Sequence, residues 1–295
     1  MDTQILSGKV VSASVYKGLK SRIVKLKTNS ITPCLAVVLI GDDAPSHVYV
    51  KNKTKKFASL NLNSETIKLT NETSENALLE IINNLNNDNK YHGILVQLPL
   101  PNHINNETII NAIDPKKDVD GFNPVNLGRL AAGRPSFIPC TPKGIMRVFE
   151  YYKIDLSNKH VVVVGRSNIV GRPISILTSL KRKYSNATTT ICHSGTKNIS
   201  YFTKQADIVI LALGSPEYLK GNDIKEGAVV IDVGINRVKS QTKTGYKLLG
   251  DCEFSSINGK ASCISPVPGG IGPMTIAMLV ENTIEAAEKS ANFAL

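Results

Sequence analysis

The sequence predicts an α/β protein in which helices cover both faces of a parallel sheet, and three observations carry that expectation. The runs Pro33-Cys-Leu-Ala-Val-Val-Leu-Ile40 and Val161–Val164 are apolar on both strand faces, as strands buried within a parallel sheet must be. Segments of helical periodicity alternate with such runs, the pattern of consecutive βαβ units. The length, 295 residues, suits two domains of about 150 residues each.

Residues 8–27 carry Val10, Val11, Ala13, Val15, Leu19, Ile23 and Leu26 at helical spacing. After the strand at 33–40 comes Gly41-Asp-Asp-Ala-Pro-Ser46, a turn cluster whose serine can cap a helix over about 46–59. Ser64–Leu69 reads as a short second strand. Residues 74–88 read as an amphipathic helix with Ala77, Leu78, Ile81, Ile82 and Leu85 on one side. Gly93-Ile-Leu-Val-Gln-Leu-Pro-Leu-Pro101 is a buried strand with Gln97 near its C-terminal end and prolines stopping it. A helix over 104–113 leads to a loop holding Asp118-Val-Asp120-Gly121. Phe137-Ile-Pro-Cys-Thr-Pro142 reads as a crossing between domains, because two prolines do not belong in a sheet interior. Pro142 suits the first turn of a helix over 142–152, capped by Thr141.

The Val161–Val164 strand runs into Gly165-Arg-Ser-Asn-Ile-Val-Gly171 and then a helix with Ile174, Ile176, Leu177 and Leu180 on its apolar side. Gly165 permits a tight turn, and Gly171 lets the helix sit close to the strand. A strand, a glycine turn and a helix N-terminus together form an anion site, since unpaired N–H groups and the helix dipole face the turn. The spacing lacks the middle glycine of the usual dinucleotide fingerprint, so a plain tight turn is the alternative. An NAD site would place a carboxylate near the end of the next strand, Thr188–Cys192, for the ribose 2′-hydroxyl. Between Gly165 and Lys204 there is none. Arg166, Ser194, Thr196 and Lys197 stand there instead, cations and hydroxyls able to pair with a 2′-phosphate, which favours NADP.

Further strands are expected at 208–211 and 229–233. The turns Ala212-Leu-Gly214-Ser-Pro216 and Gly234-Ile-Asn-Arg237 follow them, at strand C-terminal ends where open α/β sheets bind ligands. Ser265-Pro-Val-Pro-Gly-Gly-Ile-Gly-Pro-Met-Thr275 holds three glycines and three prolines in eleven residues, a rigid backbone open to close approach. It feeds a helix over about 274–289.

Composition narrows the function classes. With 42% hydrophobic and 20% charged residues the chain is an ordinary soluble protein, and no apolar run reaches the ~18 residues of a membrane helix. The N-terminus lacks a basic region leading into an apolar core, so no secretory signal is expected. Five cysteines without C-x-x-C spacing argue against a disulfide framework or a zinc site and for reduced thiols in a cytoplasmic protein. No metal site is expected. A net charge of +11 raises a nucleic-acid reading. The lysines are dispersed, however, and there is no tryptophan, so an enzyme for polyanionic small molecules fits as well.

Tyr49 and Lys53 are four apart and would share one helix face. A lysine in a partly desolvated setting can do proton chemistry; a solvated face is the alternative for the run Lys51–Lys56. Gln97 is either a satisfied buried amide or a partner for a site group. Asp118 and Asp120 are either turn formers or a carboxylate grip for a two-donor heterocycle edge.

Taken together, Ser46-x-x-Tyr49-Val-x-x-Lys53, Val96-Gln-Leu-Pro-Leu-Pro101, Lys117-Asp-Val-Asp-Gly121, Pro139-Cys-Thr-Pro142, Gly165-Arg-Ser-x-Ile-Val-Gly171, Cys192-His-Ser194 and Pro266-Val-Pro-Gly-Gly-x-Gly-Pro-Met-Thr275 resemble the methylenetetrahydrofolate dehydrogenase/methenyltetrahydrofolate cyclohydrolase family. The resemblance covers essentially the whole chain, in order. It implies NADP-dependent oxidation of methylene-tetrahydrofolate to methenyl-tetrahydrofolate, followed by hydrolysis to 10-formyl-tetrahydrofolate. Lys53 would be the central cyclohydrolase residue, Tyr49 would stack on the folate, Gln97 would tune Lys53, and Asp120 would hold the pterin edge. Gly165, Arg166, Ser167, Ile169, Gly171, Ser194 and Ile235 would meet NADP, with Arg166 and Ser194 on its 2′-phosphate. Ser46, Val96, Leu98, Pro99, Pro268, Gly269 and Gly272 would complete the substrate site.

The architecture the resemblance implies is two α/β lobes with a cleft between them. Residues 1–140 and 272–295 would form the folate-binding lobe, and 141–271 a Rossmann-type NADP-binding lobe. A homodimer is implied, with no nucleic acid and no membrane as partners. Three positions depart from the family's pattern: Gly195 where relatives often carry a basic residue, a longer connection at Lys181–Ser185, and Asn123 where a histidine is common. The rival readings are another two-lobed NADP dehydrogenase, a basic nucleic-acid-binding protein, and a dehydrogenase without its cyclohydrolase step.

Overall fold

A computed structural model describes residues 2–241 and 245–291; the outermost residues of the expected first lobe, 1 and 292–295, lie outside the described residues. The chain opens with β1 (Gln4–Ile5), α1 (Gly8–Thr28), β2 (Cys34–Ile40) and α2 (Ala44–Ser59). It continues through β3 (Asn63–Leu69), α3 (Glu75–Asn87), β4 (Gly93–Val96), α4 (Asn106–Ala112), α5 (Pro124–Ala131) and α6 (Cys140–Tyr151). Two compact units result: residues 16–140 with 276–295, and residues 1–15 with 141–275.

In the first of these, the sheet order is β3-β2-β4, all parallel, with Leu35 opposite Gly93 and Cys34 opposite Asn63. The central place of β2 explains why all seven of its residues are buried. α3 is capped by Ser74, whose hydroxyl accepts from Ala77 N at 3.2 Å, and it buries Leu78, Ile82 and Leu85 at helical spacing. Each such buried aliphatic side chain contributes about 1.5–3 kcal/mol. The segment at Asp118 extends the sheet beyond β4, where Ile94 N donates to Lys117 O at 2.8 Å. Gly93 permits this approach, because a Cβ there would lie 2.7 Å from Val119 Cγ1.

The second unit holds β5 (His160–Val164), α7 (Gly171–Ser179), β6 (Thr188–Cys192), α8 (Ile199–Thr203), β7 (Ile208–Leu211) and β8 (Val229–Asp232). β9 (Asn236–Lys239), β10 (Tyr246–Leu249), α9 (Phe254–Ile257), β11 (Cys263–Ile264) and α10 (Ile271–Ser290) follow, α10 passing into the first unit at residue 276. Its six-stranded parallel sheet runs β1-β11-β8-β7-β5-β6. The chain moves outward from β5 to β6 and then returns to β7 on the other side of β5. The topological switch point, where such sheets bind ligands, therefore lies at the C-terminal ends of β5 and β7.

Several elements differ from expectation. Residues 1–15 belong to the second unit, because β1 pairs in parallel with β11, with Gln4 N bonded to Ser262 O at 2.8 Å. α2 begins at Ala44 rather than residue 46: Asp43 is its cap, and Pro45 occupies its first turn. α6 begins at Cys140, which places Thr141 inside the helix rather than at its cap. Residues 236–237, expected in a turn, open the β9/β10 hairpin. The sequence reading also missed α5, an eight-residue helix capped by Asn123. Among the described residues no helix is long and apolar enough to cross a membrane.

Candidate active site

The first unit gathers Lys53, Gln97 and Asp120. Lys53 lies on α2 and is only 8% exposed, so its ammonium has left bulk water and needs partners. One is Gln97, directly after β4, whose backbone N–H donates to Val38 O at 2.9 Å and so continues the sheet ladder one residue further. The Gln97 amide is oriented at both ends. Its Oε1 accepts from Lys53 Nζ at 3.0 Å, and its Nε2 donates to Leu98 O at 2.7 Å.

Asp118 and Asp120 divide between two roles. Asp118, 1% exposed, accepts backbone N–H groups from Gly121 (3.1 Å), Phe122 (3.2 Å) and Asn123 (2.8 Å), and the Asn126 amide at 2.8 Å. It is the internal template of its loop. Asp120 is the carboxylate that feels Lys53. Burial pushes its carboxyl above the ordinary carboxylate range, the Lys53 charge opposes that, the neighbouring Asp118 adds to it, and a hydrogen bond with Cys140 opposes it.

The loop itself is held from α10. Asn282, fully buried, donates to Val119 O at 2.8 Å and Ile138 O at 3.2 Å. Cys140 Sγ lies 3.3 Å from the same Val119 carbonyl. Asn123 acquires a clear role: its Oδ1 accepts from Val125 N at 2.9 Å, and its amide donates to Ile113 O at 3.0 Å.

Among the other expected positions of this unit, Tyr49 is 38% exposed and one helical turn before Lys53. Ser46 is 3% exposed, and its hydroxyl donates to Asp43 Oδ2 at 2.7 Å, so it braces the start of α2. Val96 is buried in β4, Leu98 is partly buried and Pro99 exposed.

In the second unit, Gly165 has φ +131°, and a Cβ there would lie 2.3 Å from Ala212 O. A Cβ on Gly171 would lie 2.2 Å from Gly165 O. Both glycines are thus steric requirements, and their closeness leaves the start of α7 open to an anion. Ser167 Oγ accepts from Val170 N (3.1 Å) and Gly171 N (3.4 Å), while Arg166, Ile169 and Ser194 are exposed around the turn. Gly195 N donates to His193 Nδ1 at 3.1 Å, and a Cβ there would lie 3.1 Å from His193 Cε1, so a larger residue would crowd the histidine. This donor and cation set fits the phosphates of a dinucleotide.

Ile235 is 41% exposed, and its Cδ1 lies 3.5 Å from where a Gly272 Cβ would stand, so these two expected positions meet. Gly269, at φ +105°, accepts through its carbonyl from Lys9 N at 3.3 Å, and Pro268 is exposed beside it. The sequence reading missed Asp43, Asn282, Asp232 and Asp251. Each acts through partners distant in sequence or through local capping that the glycine and proline signals overshadow.

Residues 139–291 match the family described as tetrahydrofolate dehydrogenase/cyclohydrolase, NAD(P)-binding domain, and residues 6–120 match tetrahydrofolate dehydrogenase/cyclohydrolase, catalytic domain. The chain belongs to the tetrahydrofolate dehydrogenase/cyclohydrolase family. It is 50% identical over 291 residues to the bifunctional protein FolD of Acetivibrio thermocellus, covering 99% of each chain. Its fold matches the FolD methylenetetrahydrofolate dehydrogenase/cyclohydrolase of Campylobacter jejuni with a TM-score of 0.92 at 45% identity, over 98% of this chain and 99% of that one. The FolD of Trypanosoma brucei, solved with NADP cofactor and inhibitor, matches with a TM-score of 0.93 at 33% identity, over 99% of each chain. As a member of the family, the chain is an enzyme of one-carbon folate metabolism, a bifunctional tetrahydrofolate dehydrogenase and cyclohydrolase with an NAD(P)-binding domain.

Proposed function

We propose that the chain oxidises 5,10-methylenetetrahydrofolate with NADP⁺ and hydrolyses the 5,10-methenyltetrahydrofolate formed, with Lys53, Gln97, Asp120 and Tyr49 as the working side chains. The observation that carries the assignment is the Lys53 ammonium, largely withdrawn from water and held 3.0 Å from an amide that is itself fixed at both ends.

Hydride acceptance is the chemistry the bound nicotinamide supplies, and the protein's part there is to bind and orient. Hydrolysis needs proton handling by the chain. Water adds to the cationic methenyl carbon and loses a proton. The ring then opens as the carbinol hydroxyl loses its proton and the departing nitrogen gains one, so one proton is released overall. Lys53 Nζ is the group suited to relay these protons, because it is confined, charged and flanked by an acceptor amide and a carboxylate. Tyr49, one turn earlier on the same helix, would stack on the folate, and Asp120 would accept from the pterin's N–H donors. Ser46, Val96, Leu98, Pro99, Pro268, Gly269 and Gly272 would complete the folate contacts.

Gly165, Ser167, Ile169 and Gly171 would hold the dinucleotide, with Ile235 against it and Arg166 and Ser194 on the 2′-phosphate. The absence of any carboxylate between Gly165 and Lys204 supports NADP over NAD. A cytoplasmic, reducing setting is supported by the free state of all five cysteines. The family resemblance supports a homodimer, which analytical ultracentrifugation tests.

The deciding experiment is Lys53→Met. Hydrolysis of supplied methenyltetrahydrofolate should fall by about two to four orders of magnitude, the usual worth of acid–base catalysis. NADPH formation should persist, and methenyltetrahydrofolate should accumulate in absorbance. Equal loss of both reactions would show that the lysine is generally required rather than specific to hydrolysis.

A further inference from the structure

Two turns flank the switch point of the six-stranded sheet, Gly165–Gly171 after β5 and Leu213–Ser215 after β7. The second is also built to receive an anion: three successive backbone N–H groups converge there, with Gly214 at φ +71°. The protein fills it itself. Asp251, fully buried in the turn after β10, places Oδ2 on Leu213 N (2.7 Å) and Gly214 N (3.0 Å), and Oδ1 on Ser215 N (3.0 Å) and the Asn236 amide (2.9 Å). Asp251 is held in turn by Asp232, whose Oδ1 accepts from Gly234 N and Asp251 N, each at 2.9 Å, and whose Oδ2 accepts from Cys252 N at 2.8 Å. Gly234 and Gly250 are what make room. A Cβ on Gly234 would lie 2.2 Å from Asp251 Oδ1, and one on Gly250 would lie 2.0 Å from Asp232 Oδ2.

We propose that Asp251 is a positioning residue for the dehydrogenase step, fixing the Leu213–Ser215 turn and the Ile235–Asn236 segment as one surface for the nicotinamide half of the cofactor. This rests on the NADP reading above. Two consequences follow from the geometry. Because the amides after β7 are already occupied by a carboxylate, phosphate has only the β5 turn to bind between these two. The nicotinamide ring then faces a wall whose shape one buried side chain dictates from two loops at once. A charge-assisted bond to each of four donors gives that wall its rigidity.

The test is Asp251→Asn in the full chain, with NADP⁺ and 2′,5′-ADP binding followed by calorimetry and the two reactions assayed separately. An amide group can accept through only one oxygen, so two of the four donors lose their partner. Dehydrogenase kcat/KM for NADP⁺ should fall on the order of a hundredfold, the scale of an ångström-sized misplacement, and NADP⁺ affinity should fall with it. Binding of 2′,5′-ADP, which needs only the β5 turn and its cations, should hold within about twofold, as should hydrolysis of supplied methenyltetrahydrofolate. Parallel loss of 2′,5′-ADP binding and hydrolysis would mean that Asp251 merely holds the fold, and an unchanged dehydrogenase would overturn the proposal outright. If the variant does not fold, Asn236→Ala decides: it removes one of the four donors, and a selective loss of about tenfold in dehydrogenation supports the assignment, whereas unchanged kinetics refutes it. A wild-type chain that binds neither nucleotide would instead defeat the cofactor reading, a result distinguishable from either variant outcome.

Discussion

Asp118 and Asp120 stand two residues apart in one loop and do opposite things. Burial pushes both carboxyls upward from the ordinary range. Asp118 is answered by donors on its own loop and helix, three backbone N–H groups and the Asn126 amide. Asp120 is answered chiefly by the charge of Lys53 on another element. A carboxylate whose acceptor capacity is spent on the donors of its own loop and helix shapes that loop and has nothing left to offer a ligand. One balanced against a confined ammonium keeps acceptor capacity for a substrate. The same contrast recurs in the other unit, where a buried carboxylate, Asp251, fills the turn after β7, while the turn after β5 receives no carboxylate and holds Val170 N and Gly171 N on the Ser167 hydroxyl.

Substituting each aspartate tests the first contrast, and Asp120→Asn should have the largest effect. The amide puts N–H groups where the pterin's own donors must be received, and a site built for hydrogen bonding penalises such a mismatch by several orders of magnitude, here roughly a thousandfold in kcat/KM for folate substrates. Thermal stability should change little. The pH dependence has a defined sign: Asp120 must be ionised to accept, and its carboxyl lies above the ordinary value of 3.8. Folate affinity in the wild type should therefore be lost on acidification at a higher pH than an ordinary carboxylate would cause. In Lys53→Met the loss should move higher still, because the charge that favours ionisation is gone. A midpoint unmoved by Lys53→Met, read by folate binding against pH, would sever the two residues.

Asp118→Asn should act the other way round. Its NH₂ would oppose the Asn123 and Asn126 donors, leaving buried groups unpaired at about 1–3 kcal/mol. Calorimetric melting should then shift downward by several degrees. Catalysis should fall less than in Asp120→Asn, through displacement of the loop. Equal effects of the two substitutions on stability and rate would erase the distinction.

These particular residues also show how far the sequence could be read. β2 was legible because seven consecutive apolar residues admit one environment, a strand covered on both faces. Lys53 and Gln97 are legible as candidates for different reasons: Lys53 shares a helix face with Tyr49, and Gln97 interrupts an apolar strand. Spacing alone does not separate Asp118 from Asp120, and only the family resemblance points to Asp120, since the choice depends on Asn126, eight residues on, turning its amide inward from α5. Asp251 leaves no local trace: its backbone donors lie 36 to 38 residues away in Leu213 to Ser215, and the Asn236 amide 15 residues away. The same distance effect hid β1, whose two residues pair with β11 at the far end of the chain.

The second contrast, between the filled and the open turn, is tested by Arg166→Ala, with the smallest expected effect of these changes. Arg166 is exposed beside the Gly165–Gly171 turn, so it is hydrated before the ligand arrives and gives up water to bind. Its contribution should be that of one charge-assisted contact, about ten- to a hundredfold in the KM for NADP⁺. NAD⁺, which lacks the 2′-phosphate, should show nearly the same KM in both proteins. The loss for NADP⁺ should shrink at high salt, where exposed charges are screened. If the two cofactors lost affinity alike, Arg166 would be acting on the pyrophosphate or on the turn itself. Discrimination would then have to come from Ser194, Thr196 or Lys197 at the end of β6.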